Sequence, residues 1–441
     1  MFLPDSVKSC IEKLEQAGFE AYAVGGCVRD SLLGLTPHDY DLCTNATPTE
    51  TATLFDGYTL VRSGEKHGTI GVVVNKQVIE ITTFRTEGGY QDSRHPNWVK
   101  FVSQVNEDLS RRDFTVNAIA YNPTRGYIDP FGGETDLQNK ILRTVGNPEK
   151  RFSEDALRIL RGVRFGVRYG LTPENATLQA MKTLAPRMDK LARERVFDEL
   201  CKLLPLLTAQ DLLDYAPVLI QAVPPLAPCV GFLQHNPHHL YDVYTHTAQV
   251  VEATPADLTI RWAALLHDCG KPACFHLDEA GKGHFHGHAQ VSAQIAESLL
   301  FELKAPTALR EQVTFLISHH MTELIPDKKL LRRWLGKYGQ SSLFKLLALQ
   351  QADFGGKGYQ KDTEPFRKIS VLLEEILSED ACLTIRDLQV NGNDLLSLGF
   401  PAGPQIGTCL SHLLAQVQDE CIPNEKQALL NTAKAFLRSN L

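Results

Sequence analysis

The chain has 441 residues and a mass of 49.0 kDa, too much for one ordinary core and enough for roughly two to four domains. Its 43% hydrophobic and 22% charged residues exclude wholesale disorder and a fibrous repeat. A net charge of −7 argues against a polyanionic partner for the molecule as a whole, yet Lys140 to Arg195 holds thirteen Lys or Arg against six Asp or Glu, a local track suited to phosphates.

In chain order, MFLPDSVKSCIEKLEQAGF spaces its apolar residues among Lys8, Glu12, Lys13 and Glu15, which predicts an amphipathic helix and not a signal peptide. Short β-rich runs follow, AYAVGG, HDYDLCT, TIGVVVN, VIEITTFR and WVKFV, punctuated by Gly, Asn and Pro, and they predict a small mixed sheet with helices. From about Asn139 the apolar spacing turns helical, in EDALRILRGVRFGVRYG and ERVFDELCKLLPLL. A proline-rich break at AVPPLAPCVGF precedes a histidine-dense segment, and GGKGY (355–359) and GFPAGP (399–404) mark later joints. No run approaches a membrane span. The ten cysteines are scattered singly with no C-x-x-C pair, the pattern of reduced thiols in a cytoplasmic protein.

The first chemical constellation is VGGCVRDSLLGLTPHDYDL, two adjacent glycines and Arg29 after a strand, then Asp39 and Asp41. Residues two apart in a strand share a face, so the two carboxylates are expected to converge on Mg²⁺, whose other ligands are water and nucleotide phosphates. Such a pair suits transfer of a nucleotidyl group with loss of pyrophosphate. Gly25 and Gly26 lack Cβ and let the backbone approach a triphosphate, Arg29 adds positive charge, and Glu80 in VIEITTFR is a candidate third acidic ligand. A lone D-x-D is usually an exposed acidic turn and a lone Gly-Gly usually a turn; their ordered combination after a strand carries the reading.

The ordered motifs GGCVRD, DYD, TFR, RRDFTVNA, EDALRILRGVRF and ARERVFDEL resemble the class II tRNA nucleotidyltransferases, the bacterial CCA-adding enzymes and their poly(A) polymerase relatives, over roughly the first 200 residues. The resemblance implies metal-binding carboxylates at Asp39 and Asp41 and nucleotide contacts at Gly26, Arg29, Arg112, Arg161 and Arg164. It further implies that Asp155 and Arg158 of the EDxxR motif act as a protein template for the incoming base. On one helix, residues three apart are neighbours, so an acceptor and a fork of donors are expected side by side. CTP and ATP share an amino donor beside a ring-nitrogen acceptor, which such a pair would select. YQDSRHPNWVKFV, with Asp92 and Arg94, resembles the flexible loop of full CCA-adding members and favours addition of both C and A; an A-adding enzyme or a poly(A) polymerase shares most of the same letters.

Nine of the fifteen histidines fall between His235 and His288. The order His246, His267-Asp268 in WAALLHDCGKP, and Asp353 in QADFGG resembles the HD superfamily of metal-dependent phosphohydrolases, which implies His246, His267, Asp268 and Asp353 as metal ligands. His288, His319 and His320 are candidates for a second metal or for substrate. Imidazole with carboxylate suits a divalent transition metal, and a vacant position on it suits attack on a phosphoester; a degenerate, RNA-binding HD domain is the other reading.

The expected class is α+β: a polymerase-β-like nucleotidyltransferase head of mixed sheet plus helices (1–137), a helical nucleotide-template and RNA-binding region (138–225), an HD phosphohydrolase-like domain (226–360) and a C-terminal helical region (361–441). Expected partners are tRNA, CTP and ATP, with no membrane. A chain in which the HD centre is the main activity and the head only binds RNA is the alternative from another class.

Overall fold

The structure is a computed structural model that describes residues 1–90, 96–236, 240–358, 362–379 and 381–439. Asp92 and Arg94, and with them the core of the loop segment singled out in the sequence, lie outside the described residues. The chain divides between Ala227 and Pro228, inside the proline-rich break, into two units, and residues 302–304 group with the first.

The first unit opens with α1 (Asp5–Gln16), which buries Val7, Cys10, Ile11 and Leu14 at helical spacing. Then come β1 (Ala21–Val24), α2 (Gly26–Leu32), β2 (Asp41–Thr44), α3 (Pro48–Leu54), β3 (Thr59–Val61), β4 (Thr69–Val74) and β5 (Gln77–Thr83). A hairpin of β6 (Arg85–Tyr90) and β7 (Pro96–Phe101) leads to α4 (Val105–Ser110), β8 (Ala120–Asn122), β9 (Gly126–Ile128) and α5 (Gly133–Gln138). Seven strands form one mixed sheet in the order β3-β4-β5-β2-β1-β8-β9, in which β2 and β5 are the parallel pair. Leu42, Ile70, Ile79 and Ile81 are buried in it.

Helices take over from α6 (Pro148–Glu154), started by the Asn147 side chain accepting from the Lys150 N–H and by Pro148 in the first turn. They continue with α7 (Leu157–Tyr169), α8 (Asn175–Leu184), α9 (Arg193–Leu203), α10 (Ala209–Asp214) and α11 (Ala216–Ala222). Gly170, left-handed at φ 61°, closes α7.

In the second unit, α12 (Val243–Ala253), α13 (Leu258–Leu266), α14 (Lys271–Cys274), α15 (His288–Glu302), α16 (Thr307–His319), α17 (Lys328–Tyr338) and α18 (Gln340–Gly355) precede α19 (Glu364–Ser378). The last helices, α20 (Gly392–Ser397), α21 (Pro404–Gln418) and α22 (Lys426–Ser439), gather around Leu395, Cys409, Leu413 and Leu429. Among the described residues no helix is long and apolar enough to cross a membrane.

Two expected element boundaries move. Asp39 lies outside β2, because β2 starts at Asp41 opposite Val24, the last residue of β1, and the chain turns away at Gly25. The continuous helix expected over EDALRILRGVRF is broken: Asp155, at φ −145° and ψ 106°, separates α6 from α7. Its carboxylate accepts from the Leu157 N–H at 3.0 Å, the local bond by which Asp competes with helix continuation.

Candidate active site and metal centre

Gly25 sits at φ 77°, a backbone conformation open to glycine, and a Cβ there would lie 2.9 Å from Arg112 Nη1. Gly26 is different: a Cβ would meet only Arg29 Nη2, at 3.6 Å, so the fold itself leaves the space beside it. On the parallel strands Asp41 stands in register with Glu80, which brings the candidate third acid beside the second. Asp39, exposed on the approach to β2, adds its charge. The Asp41 carboxyl is raised above its ordinary value by the protein around it, by Glu80 and by Asp39, with Arg112 opposing. Asp39, Asp41 and Glu80 are hard oxygen donors of the kind a divalent cation takes, although among the described residues their oxygens are not drawn together as the ligands of the second unit are.

Behind the carboxylates runs a buried polar chain. Arg29 is not a free positive charge: it donates to Asp30, to Asn117 Oδ1 and to the Tyr169 hydroxyl. Asn117 Nδ2 donates to Asp113 Oδ1 at 3.0 Å, and Arg161 Nε and Nη2 both donate to Asp113 Oδ2, at 2.8 and 2.7 Å. Arg161 Nη1 lies 3.9 Å from Glu199, whose other oxygen accepts from Arg164 Nε at 2.6 Å. Burial by itself would raise the Asp113 carboxyl, but Arg161 and Asn117 outweigh it and hold it well below the usual carboxylate range. Asp113 and Asn117 went unmarked in the sequence although both stand in RRDFTVNA, four residues apart. Arg112 in the same motif reaches Asp108 at 3.4 Å.

The break at Asp155 corrects the expected geometry of the base-reading pair. Asp155 lies outside the helix that carries Arg158, although its carbonyl accepts from the Arg158 N–H at 3.1 Å, and the side chain of each holds another partner. Asp155 accepts from Arg195 Nη2 at 2.7 Å and Nη1 at 3.3 Å. Arg158 Nη1 donates to Glu154 Oε2 at 2.7 Å, and its guanidinium also meets the carbonyls of Arg151 and Arg111.

The second unit gathers its own constellation from five helical segments. His246 Nε2 lies 3.4 Å from Asp268 Oδ2 and 3.0 Å from Asp353 Oδ1, and His267 Nε2 is 3.2 Å from Asp268 Oδ2. On the other oxygen of Asp268, His288 Nε2 is at 3.3 Å and His320 Nε2 at 3.9 Å. Asp268 thus joins two groups with ligand spacing, His246-His267-Asp268 and Asp268-His288-His320. In each of the four histidines Nδ1 meets a backbone carbonyl, of Gly356, Ala264, Phe285 and Ile317 respectively. That contact places the proton on Nδ1 and turns the Nε2 lone pair inward, the outer support typical of metal-bound imidazole. Despite burial, His267 and Lys271 keep Asp268 well below its ordinary value, and His246 and Lys357 do so for Asp353. Burial and the neighbouring His267 push His320 down to about 4, whereas Asp268 and Asp353 hold His267 above its ordinary value against burial. A divalent ion that accepts both imidazole and carboxylate fits.

Of the outlying candidates, His288 and His320 join the group. His319 does not: its Nδ1 meets the Phe315 carbonyl at 2.9 Å and its ring packs on Phe315, Trp334 and Tyr338. Lys271, whose Nζ lies 2.7 Å from Asp268 Oδ2, was passed over although it stands in HDCGKP.

A mixed-sheet head with acidic residues at the β2–β5 pair, followed by arginine-rich helices, defines a nucleotidyltransferase of the poly(A) polymerase type. Residues 21–143 match the Poly A polymerase head domain family, and residues 284–433 match a tRNA nucleotidyltransferase domain 2 family. The chain is 34% identical to a CCA-adding enzyme of Streptococcus gordonii, over 95% of this chain and 94% of that one, and 32% identical to one of Streptococcus suis, over 97% and 96%. It also superposes on the crystal structure of the Bacillus stearothermophilus CCA-adding enzyme in complex with CTP, with a TM-score of 0.75, 29% identity and coverage of 100% of this chain and 99% of that one. The chain belongs to the CCA-adding enzymes, a family of tRNA nucleotidyltransferases.

Proposed function

We propose that the protein adds C and A, from CTP and ATP, to the 3′ end of tRNA. The observation that carries this reading is the placement of Asp41 in register with Glu80 and opposite Val24, the strand end that runs into Gly25 and Gly26. Support also comes from relatives that are named CCA-adding enzymes and from a similar structure solved with CTP. Asp39 and Asp41 would hold magnesium, which supplies charge stabilisation at the α-phosphate and the leaving pyrophosphate. The tRNA 3′-oxygen bonds to the α-phosphorus, the α–β anhydride bond breaks, pyrophosphate leaves and the hydroxyl proton passes to solvent. Arg112, Arg161 and Arg164 reach the nucleotide by sharing or exchanging Asp108, Asp113 and Glu199, their present partners, and Asp155 with Arg158 reads the amino group and ring nitrogen common to C and A. For that reading Asp155 exchanges Arg195, and Arg158 exchanges Glu154, for the base. Incorporation of labelled CTP and ATP, each alone and then together, into tRNA lacking its last three nucleotides tests the proposal. Failure to incorporate C overturns it in favour of an A-adding or poly(A)-type activity.

A second activity is favoured by the four inward-turned imidazoles and two carboxylates of the Asp268 centre. We propose that it hydrolyses phosphoesters at nucleotide ends, as expected of an HD domain. A divalent transition metal held there supplies Lewis acidity toward the phosphoester. Lys271 and Lys357 place positive charge beside Asp268 and Asp353. Asp41→Ala should abolish nucleotide incorporation and leave hydrolysis, and His267→Ala should do the reverse; loss of both activities in either variant counts against two independent centres.

A further inference from the structure

Three more imidazoles form a group apart from the metal ligands. A short hairpin pairs His276 with His284, and His286, in the turn beyond the strand, brings its ring beside both. Their ring centroids lie 5.3 to 5.5 Å apart, with interplanar angles of 13° to 35°. Asp278 Oδ2, 2.7 Å from His284 Nε2, fixes the His284 ring. Near-parallel planes present faces and not lone pairs. Among the described residues, the groups whose ligand atoms converge are the two at Asp268, and this trio is not one of them. It is built for stacking, not for chelation.

Two of the three, His284 and His286, border the Asp268 centre. His284 and His286 line the same cavity of about 470 Å³ as Asp268, His288 and Asp353, with Lys271 and Lys357 in its wall. One end of the cavity therefore offers metal-ligand geometry and ammonium groups, which suit a phosphate. The rim offers flat aromatic faces, which suit a planar ring. A nucleotide carries both.

We propose that His284 and His286, backed by His276, form a nucleobase-stacking subsite that restricts the Asp268 centre to ribonucleotide ends over phosphoesters without a base. The proposal rests on the phosphoesterase reading of that centre. An unpaired terminal base fits the subsite, because stacking needs an exposed π-face and little else.

The test compares adenosine 3′-monophosphate with glycerol 2-phosphate on the full-length, manganese-loaded protein and on the double variant His284→Ala/His286→Ala. The ratio of kcat/KM for the nucleotide to that for glycerol 2-phosphate should fall roughly ten-fold in the variant, mainly through KM of the nucleotide. Proton NMR of the metal-free protein supplies a second readout. Adenosine 3′-monophosphate should shift the imidazole resonances that the double variant lacks, and glycerol 2-phosphate should not. An unchanged ratio together with unmoved resonances overturns the subsite. So does binding of one more equivalent of zinc by the unsubstituted protein than by the double variant, which would make the trio a chelating group. If the unsubstituted protein hydrolyses neither compound yet the nucleotide-specific shift is present, the phosphoesterase reading fails and the stacking subsite stands.

Discussion

Replacing Asp113 with Ala removes the centre of the polar chain behind the nucleotide motifs. Four hydrogen bonds end on its two oxygens, from the Phe114 N–H, Asn117 Nδ2 and two nitrogens of Arg161. Breaking a buried ion pair by removing one partner costs about 3–5 kcal/mol. Arg161 is 34% exposed and has Glu199 3.9 Å away, so part of its charge can be compensated by water and by that carboxylate. The expected loss is therefore at the low end, about 3 kcal/mol at pH 7. Equilibrium urea unfolding of the full chain, repeated from pH 7 down to pH 3, measures it. The Asp113 carboxyl is depressed in the folded state, so its contribution is complete above the unfolded value near 4 and fades as pH falls below that toward the folded value. The stability gap between the wild type and Asp113→Ala should thus be constant from pH 7 to about 5 and narrow below about 4. A gap under about 1 kcal/mol at pH 7, or one that does not narrow in acid, refutes the assignment of Asp113 as the paired hub.

Gly25→Ala places a Cβ 2.9 Å from Arg112 Nη1 at φ 77°, and should cost about 2 kcal/mol of stability, read by thermal unfolding, and raise KM for the nucleotide. Glu80→Gln removes the charge in register with Asp41 and should lower kcat for nucleotide incorporation about 10²–10³-fold with the melting temperature little changed. After exhaustive chelation, magnesium alone should restore nucleotide incorporation but not phosphoester hydrolysis, which should return with manganese or nickel; equal rescue of both by magnesium would contradict two chemically distinct centres. Arg195→Ala removes the partner that Asp155 must give up to the base and should lower KM for CTP and ATP by roughly ten-fold in an incorporation assay, with UTP and GTP still rejected.

The acidic site was legible because its chemistry sits on a local pattern: a strand, two glycines, an arginine and carboxylates within a few residues. The face-sharing argument for Asp39 and Asp41 was less secure, since it assumed a strand that the turn at Gly25 denies to Asp39. Helical periodicity could not reveal the break at Asp155, because EDALRIL is apolar at the right spacing whether or not the carboxylate captures the Leu157 N–H. His320 and His319 are adjacent letters with opposite fates, decided by which ring faces Asp268 and which faces Trp334 and Tyr338. Such a distinction depends on packing between α16 and later helices, which a sequence window does not contain.

The polar chain through Asp113 also bears on the order in which the protein can be made. Arg29 meets a residue 88 positions later, Asp113 one 48 positions later and Arg164 one 35 positions later. At roughly 5–20 residues per second of synthesis, Asp113 waits several seconds before its counter-charge leaves the ribosome. A nascent or recombinant head that stops near residue 143, where the family match ends, holds a buried carboxylate without Arg161 and an Arg29 without Tyr169. The smallest piece of this end of the chain able to close its own electrostatics therefore extends through Glu199, so the catalytic sheet and the arginine helices mature as one translational unit.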